Sequence, residues 1–443
     1  LLFSSIEFLF LFLPLTLIAG VILRKFVSTP VVVVALLAAN LFFYGWFKSS
    51  YLLILGGSIV VNYMIGKRLI QELSRPLLIA GIVLNLALLG FFKYALFFSE
   101  SLGFDIPALG GIVLPLAISF YTFQQISFIV DCYRGEIKRV GLLNYALYVS
   151  FFPQLIAGPI VRFSELYPQL PHRLFRADAD MLARGLTLFL FGLAKKVIVA
   201  DVLSRPVDSV WSQLGSETGV ATAVSAYSDM AIGLGLMMGV TLPVNFLSPY
   251  RAASIRDFWQ RWHMTLSRWL RDYLYIMLGG NRHGLNRQML AIFITMALGG
   301  LWHGAGWNFV LSGVLHGVWI ALAHLLRRRS TRQPVTTANT TRRSTIWLRV
   351  LLTFAGVTVL WIFFRGEQGA WIQMFSALLS NHQTEVSLFE NFEVAIILVA
   401  AIIVFVTPAN ARIFGIMTDK KTGISYKSNL TFAITALGLF FVT

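Results

Sequence analysis

The chain has 443 residues, 57% of them hydrophobic and only 13% charged, with a net charge of +16. That composition belongs to a polytopic membrane protein and excludes a soluble domain. In such a chain the positive charge gathers at the cytoplasmic ends of spans, which sets nucleic acid aside as a partner. Cys132 is the sole cysteine, so a disulfide framework, Cys-ligated zinc and an iron–sulfur cluster are excluded within one chain. It is expected in a basic loop, as an ordinary small residue.

Ile6–Leu23 is apolar, with neither a basic leading segment nor a small-residue cleavage site, and reads as a retained first span. The chain opens on Leu1, so a trimmed start is expected. Further spans are expected near 31–47, 51–66, 77–98 and 112–130. Arg24 and Lys25 follow the first span. Lys67, Arg68 and Arg75 follow the third, and Arg134, Lys138 and Arg139 the fifth. The loop after the fourth carries Glu100 and Asp105 and no basic residue. Alternate loops are thus basic, which places the N-terminus outside and the loops near 24, 70 and 136 in the cytoplasm.

Ser119–Ser127 mixes aromatics and amides; it reads as an aromatic belt at the membrane interface or as a pore lining. Phe151–Phe163 holds Pro153, Gly158 and Pro159 inside an apolar run, which cannot form a straight span. Broken backbone at membrane depth must be buried in protein or line a cavity, so a re-entrant segment is expected, with Arg162 where it emerges. Leu166–Arg184 reads as a surface loop. Leu186–Leu203 reads as a span whose Lys195 and Lys196 snorkel or lie at its cytoplasmic edge. In Tyr227–Leu236, Asp229 is expected to cap an apolar helix or to orient a histidine.

The stretch 257–316 concentrates the chemistry, with three of the chain's seven histidines, His263, His303 and His316, in apolar surroundings there. At 100° per residue, Trp259, Trp262, His263, Leu266, Trp269, Leu270 and Tyr273 share one face of a helix. Asp257, Arg261, Arg268, Arg271 and Asp272 share the other, with i,i+4 pairs Asp257–Arg261 and Arg268–Asp272. An interfacial helix with arginines on lipid headgroups is the plain reading. The apolar tract from Gln288 to Leu326 is too long for one span of about 20 residues. Two spans are expected, broken near Gly299-Gly300 and Gly304-Ala305-Gly306. Trp302-His303-Gly304 sits at that break, where an ionisable group is costly unless paired or facing a cavity, and is a functional candidate by default. A packed histidine is the alternative for either residue alone; two, each in a Trp/Gly setting, point to a site.

Arg327–Thr345, rich in Arg, Thr and Ser, reads as a basic cytoplasmic linker on anionic lipid. Spans recur near 347–364, 394–407 and 430–442, the last cut short. The expected whole is one all-α membrane domain of about ten to twelve segments. It comprises N-terminal spans over 1–135, a core over about 140–326, the linker 327–345 and C-terminal spans over 346–443.

Several stretches, in order, resemble the membrane-bound O-acyltransferase family, and in particular its bacterial polysaccharide branch. They are Phe3-Ser4-Ser5 with Phe8–Pro14, Ile118–Phe123, Leu155–Pro159, Tyr227–Gly235, Phe258-Trp259-Gln260-Arg261-Trp262-His263, Arg271–Tyr275, Leu278–Arg282 and Gly300-Leu301-Trp302-His303-Gly304. Two departures stand out. Gly219–Ala226 is short and lacks the Asp-Phe-Ser-Gly ending usual in this branch, and the loop after Arg282 is a few residues short.

The resemblance implies a conical bundle of tilted and re-entrant helices around a central tunnel, in a bacterial inner membrane. It implies transfer of an acetyl group from cytoplasmic acetyl-CoA to a hydroxyl, with no bound cofactor and no metal. His303 matches the family's invariant histidine, His263 its second signature position, and His316 a position common in this branch. Arg256, Arg261 and Arg271, with Arg251, are candidates for the donor's phosphates, and Trp302, Asn281 and Asp229 for support. His303 is expected as general base, at home near neutral pH, with a covalent acyl-enzyme through a serine as the alternative chemistry. His263 is expected to orient the acyl group or stabilise the oxyanion. Acceptors open to it are alginate, cellulose, another exopolysaccharide or peptidoglycan, with a periplasmic SGNH-type acetyltransferase as partner. A transporter or a scaffold subunit without chemistry is the rival reading.

Overall fold

The computed structural model describes residues 1–104, 106–205, 208, 224–330, 343–366, 370–379, 398 and 405. Every regular element among them is a helix. Five helices are long and apolar enough to cross a membrane: α1 (Phe8–Phe26), α3 (Tyr51–Gln71), α4 (Arg75–Ser101), α12 (Trp307–Arg327) and α13 (Thr345–Arg365). The shorter apolar α2 spans Thr29–Gly45. The expected span near 430–442, that near 394–407 apart from 398 and 405, most of the linker and residues 219–223 lie outside the described residues.

Proline opens α2 and α4 within the first two positions, where a missing N–H costs nothing. Arg24 and Lys25 sit in the last turn of α1, beside the negative end of its dipole. Large apolar side chains such as Ile22, Leu53 and Val83 point outward, an arrangement that needs lipid as its solvent.

The described residues fall into two compact units. The first takes 1–197 and 224–244. At its centre is α5 (Ile118–Tyr133), buried along nearly its whole length and packed on α3 and α4. Its polar side chains meet theirs: Ser58 Oγ donates to Gln125 Oε1 (2.6 Å), and Asn62 and Asn85 exchange amide hydrogen bonds (3.2 and 2.6 Å). This corrects the aromatic-belt reading of 119–127, since Tyr121, Gln124 and Gln125 are interior. It also corrects the place of Cys132, which is buried in the last turn of α5 and not in a loop.

After α6 (Leu142–Ser150), Phe151–Arg162 is irregular apart from one short turn, Phe152–Leu155, and mostly buried, as its prolines and glycine require. The surface-loop reading of 166–184 is overturned. Leu166, Leu170 and Leu174 are all fully buried; spaced four apart among polar residues, they form the inner stripe of two short helical turns. Phe175, left-handed at φ 55, lays its ring over Gly20 of α1. The pair α7 (Ala179–Ala194) and α8 (Val224–Met237) pack closely through Gly185, Gly192 and Gly233, where a Cβ would strike the facing backbone. Asp229 lies inside α8, not at its start, so it is no N-cap. Its carboxylate takes an ion pair from Lys195 at the end of α7.

The second unit takes 198–205, 208 and 245 onward. In it α12 packs against α11 (Leu285–His303), α13 and the short α9 (Ile255–Trp259). Phe258, Trp259, Trp262, Trp319 and Trp361 form its aromatic core.

Candidate active site

The stretch 255–275 is not one helix. After α9 the chain turns through Gln260–His263 and restarts as α10 (Met264–Leu270), continuing as a wider turn to Tyr275. The cause is local. Ser254 caps α9 by accepting from Asp257 N (3.2 Å), and Asp257 accepts from Arg261 Nε (2.7 Å). The Arg261 carbonyl then accepts from Leu247 N (2.9 Å), and Met264 N donates to the Asn245 carbonyl (2.8 Å). An outside strand of chain, 245–247, thus takes the bonds that an unbroken helix would have used. His263 sits at the break with φ 45 and ψ 51, left-handed and rare for a side chain with a Cβ.

The break in the second tract falls at Gly304–Gly306 alone. Gly299 and Gly300 stay helical, and Gly300 is where α11 and α12 touch. A Cβ there would stand 3.1 Å from both Cα and N of Gly313. The close crossing leaves His303 as the last residue of α11, one turn beyond Gly300.

These two breaks bring His263 and His303 together. Their ring centroids are 6.2 Å apart, and the Trp302 indole stands edge-on to both, at 5.9 and 4.9 Å. Phe246 lies 5.4 Å from His263 and Phe364 lies 5.2 Å from His303. Phe364 is set by α13, which Asn308 and Ser312 of α12 bind through the Phe364 and Leu360 carbonyls (3.0 and 3.4 Å).

His263 is only 3% exposed, and its Nδ1 has no hydrogen-bond partner among the described residues. It lies outside the five apolar spans, and burial pushes its pKa down from 6.5 to about 4, so the ring is neutral at neutral pH. His316 is 4% exposed on α12, its ring edge-on to Trp259 at 5.5 Å. Its Nδ1 lies 2.9 Å from the Ser312 carbonyl. A carbonyl only accepts, so Nδ1 carries the proton and Nε2 the lone pair. That Nε2 is buried without a partner among the described residues.

The remaining candidates are charged or polar side chains. Arg261 is paired with Asp257. Arg271, 62% exposed, is paired with Asp272 at 2.6 Å, where an Arg268 partner was expected. Arg256 and Asn281 are exposed. Asp229 belongs to the first unit. Sequence reasoning missed Asn245, whose signal was a lone amide inside the apolar run Val240–Leu247. Among the described residues no group of three His, Cys, Asp or Glu side chains forms a metal-ligand set.

A multi-pass helical membrane protein with two histidine rings side by side, His263 buried and His303 half-buried, is the class that fold and site define. The profile described as "MBOAT, membrane-bound O-acyltransferase family" matches residues 132–216 and 219–364. The chain is 41% identical over 409 residues to "Probable alginate O-acetylase AlgI" of Pseudomonas aeruginosa, covering 85% of this chain and 75% of that protein. It is 38% identical over 424 residues to "Peptidoglycan O-acetyltransferase" of Helicobacter pylori, covering 83% and 77%. A more distant relative is "Teichoic acid D-alanyltransferase" of Streptococcus thermophilus, 28% identical over 244 residues, 49% of this chain and 58% of that one. The chain belongs to the membrane-bound O-acyltransferase family, and is an O-acyltransferase.

Proposed function

We propose that the protein moves an acetyl group from cytoplasmic acetyl-CoA, through a tunnel in the membrane domain, to a hydroxyl on the far side. The acceptor is an exported polysaccharide, alginate-like or another exopolysaccharide, or peptidoglycan, reached directly or by way of a periplasmic acetyltransferase partner. The relatives named above support an acetyl group and a polymer acceptor. The basic loops after α1, α3 and α5 support an N-terminus in the periplasm.

The observation that carries the chemistry is the His263–His303 pair, 6.2 Å between ring centroids in an aromatic shell. His303 accepts the proton of the acceptor hydroxyl as its oxygen attacks the thioester carbon. The C–S bond then breaks, and the protonated His303 returns that proton to the CoA sulfur, so no proton is left over. His263, neutral, donates to the carbonyl oxygen as it becomes an oxyanion, a contact worth about 3–4 kcal/mol when lost. Trp302 holds the two rings at their angle. His316 offers an acceptor lone pair at Nε2. Of the arginines, Arg261 and Arg271 already have carboxylate partners, which favours the exposed Arg256 for the donor's phosphates. Asn281 is kept as a supporting residue of the second unit, and Asp229 as one of the first, where it holds Lys195.

The test uses purified protein in nanodiscs with radiolabelled acetyl-CoA and a polysaccharide acceptor, reading CoA release and label transfer. His303→Ala is expected to lower turnover by at least about 100-fold while donor binding persists. Turnover at the wild-type rate in that variant would remove His303 from the chemistry.

A further inference from the structure

Asn245 is fully buried. Among the described residues, its hydrogen bonds are to the turn that carries His263. The side-chain Oδ1 accepts from Thr265 N (3.2 Å) and from Thr265 Oγ1 (2.9 Å). The main-chain carbonyl accepts from Met264 N, and two residues on Leu247 N donates to the Arg261 carbonyl. Four hydrogen bonds therefore grip the chain on both sides of His263, at 261 and at 264–265. Between them His263 is left-handed at φ 45. A residue with a Cβ is strained there by roughly 1 kcal/mol or more, so the posture persists only while its surroundings impose it. The grip is what imposes it.

We infer that Asn245 is a positioning residue for acyl transfer: it pins the 261–265 turn and so fixes the direction of the His263 imidazole toward the reacting carbonyl. The inference rests on the role given above to His263. An amide suits the task. Its carbonyl accepts twice from Thr265, and it adds no charge beside a buried neutral imidazole. Its Nδ2 is left without a partner among the described residues. Buried donors of that kind are rare and are kept where function needs them.

The experiment compares wild type, Asn245→Ala and Thr265→Val, which removes only the Oγ1–H donor from a side chain of nearly the same shape. Two readouts are taken on full-length protein in nanodiscs: kcat and KM for acetyl-CoA, and the rate of diethyl pyrocarbonate modification at each histidine by mass spectrometry. Asn245→Ala is expected to lower kcat by about tenfold or more with KM within about twofold, and Thr265→Val to lower kcat less, in the same direction. The modification rate of His263 rises about fivefold or more as the turn is released, while exposed His283 keeps its rate. If kcat and His263 reactivity stay at wild-type values while only the melting temperature falls, Asn245 is packing alone and the inference is overturned. If Asn245→Ala does not fold, Thr265→Val decides on the same two readouts. If wild type transfers no acetyl group but the variants still free His263, the acetyltransferase reading fails and the grip stands.

Discussion

Replacing Gly300 with alanine adds one methyl group at the point where α11 and α12 come closest. The new Cβ would stand 3.1 Å from Gly313 Cα and N, and nearer still to the Phe309 carbonyl oxygen. All three are backbone atoms, so no rotamer change relieves the clash and the helices must part. Overpacking of this kind costs about 1–3 kcal/mol. Against it stands the gain from removing a helix-interior glycine, roughly 0.5–1 kcal/mol. The net loss is between about 0 and 2.5 kcal/mol. Activity suffers more than stability, because His303 lies three residues on, on the same face of α11. A displacement on the order of 1 Å at a reacting group lowers turnover by up to about 100-fold. The assay is acetyl-CoA turnover with a thermal melt in the same nanodiscs. Gly57→Ala is the control, since nothing lies within 4 Å of a Cβ at that position; it gains the helix propensity without the clash. A Gly300→Ala protein that melts and turns over like Gly57→Ala would refute the reasoning.

Three further outcomes are expected. The His263 pKa is depressed from 6.5 to about 4 by burial; the unfolded state therefore binds the proton first as pH falls, and stability declines between those values and levels off below them. At pH 5 this amounts to about 2 kcal/mol, which a His263→Gln variant does not lose, as melts at pH 7.5 and pH 5 of both proteins will show. Asn85→Ala takes the donor from the Asn62 Oδ1, although the Asn62 Nδ2 keeps the Ser58 carbonyl and Gln125 Oε1, and lowers stability by about 1–3 kcal/mol in denaturant titration. Asp229→Leu leaves Lys195 without its carboxylate and lowers the melting temperature, whereas Lys195→Met with Asp229→Leu recovers most of it, because an apolar pair replaces a half-buried ion pair at little cost.

Hydropathy made the lipid-facing helices legible, because burying or exposing about 20 apolar residues leaves a signal in composition alone. The glycines around His303 likewise announced a break. Periodicity failed at 255–275 for a physical reason. Placing seven side chains on one face assumes an unbroken ladder, and here Asn245 and Leu247, from outside the segment, take its hydrogen bonds. No pattern within 255–275 reports on them. The same limit hid the role of 166–174, whose buried leucines are outnumbered by polar neighbours, and that of Asp229, whose partner Lys195 is 34 positions away. His263 and His303 were each marked by local setting, but their meeting depends on two breaks whose geometry is set by contacts distant in sequence.

The amide cluster in the first unit bears on how the chain enters the bilayer. Asn62 and Asn85 lie on consecutive apolar helices and hydrogen-bond each other reciprocally, 23 positions apart. Gln125 joins them only from α5, later in synthesis. The α3–α4 hairpin can therefore leave the translocon with its two costliest groups already satisfied by one another. Ser58, which accepts no such partner from α4, bonds Gln125 once α5 arrives. The cluster thus gives membrane insertion an order, a closed hairpin first and a keyed third helix after it.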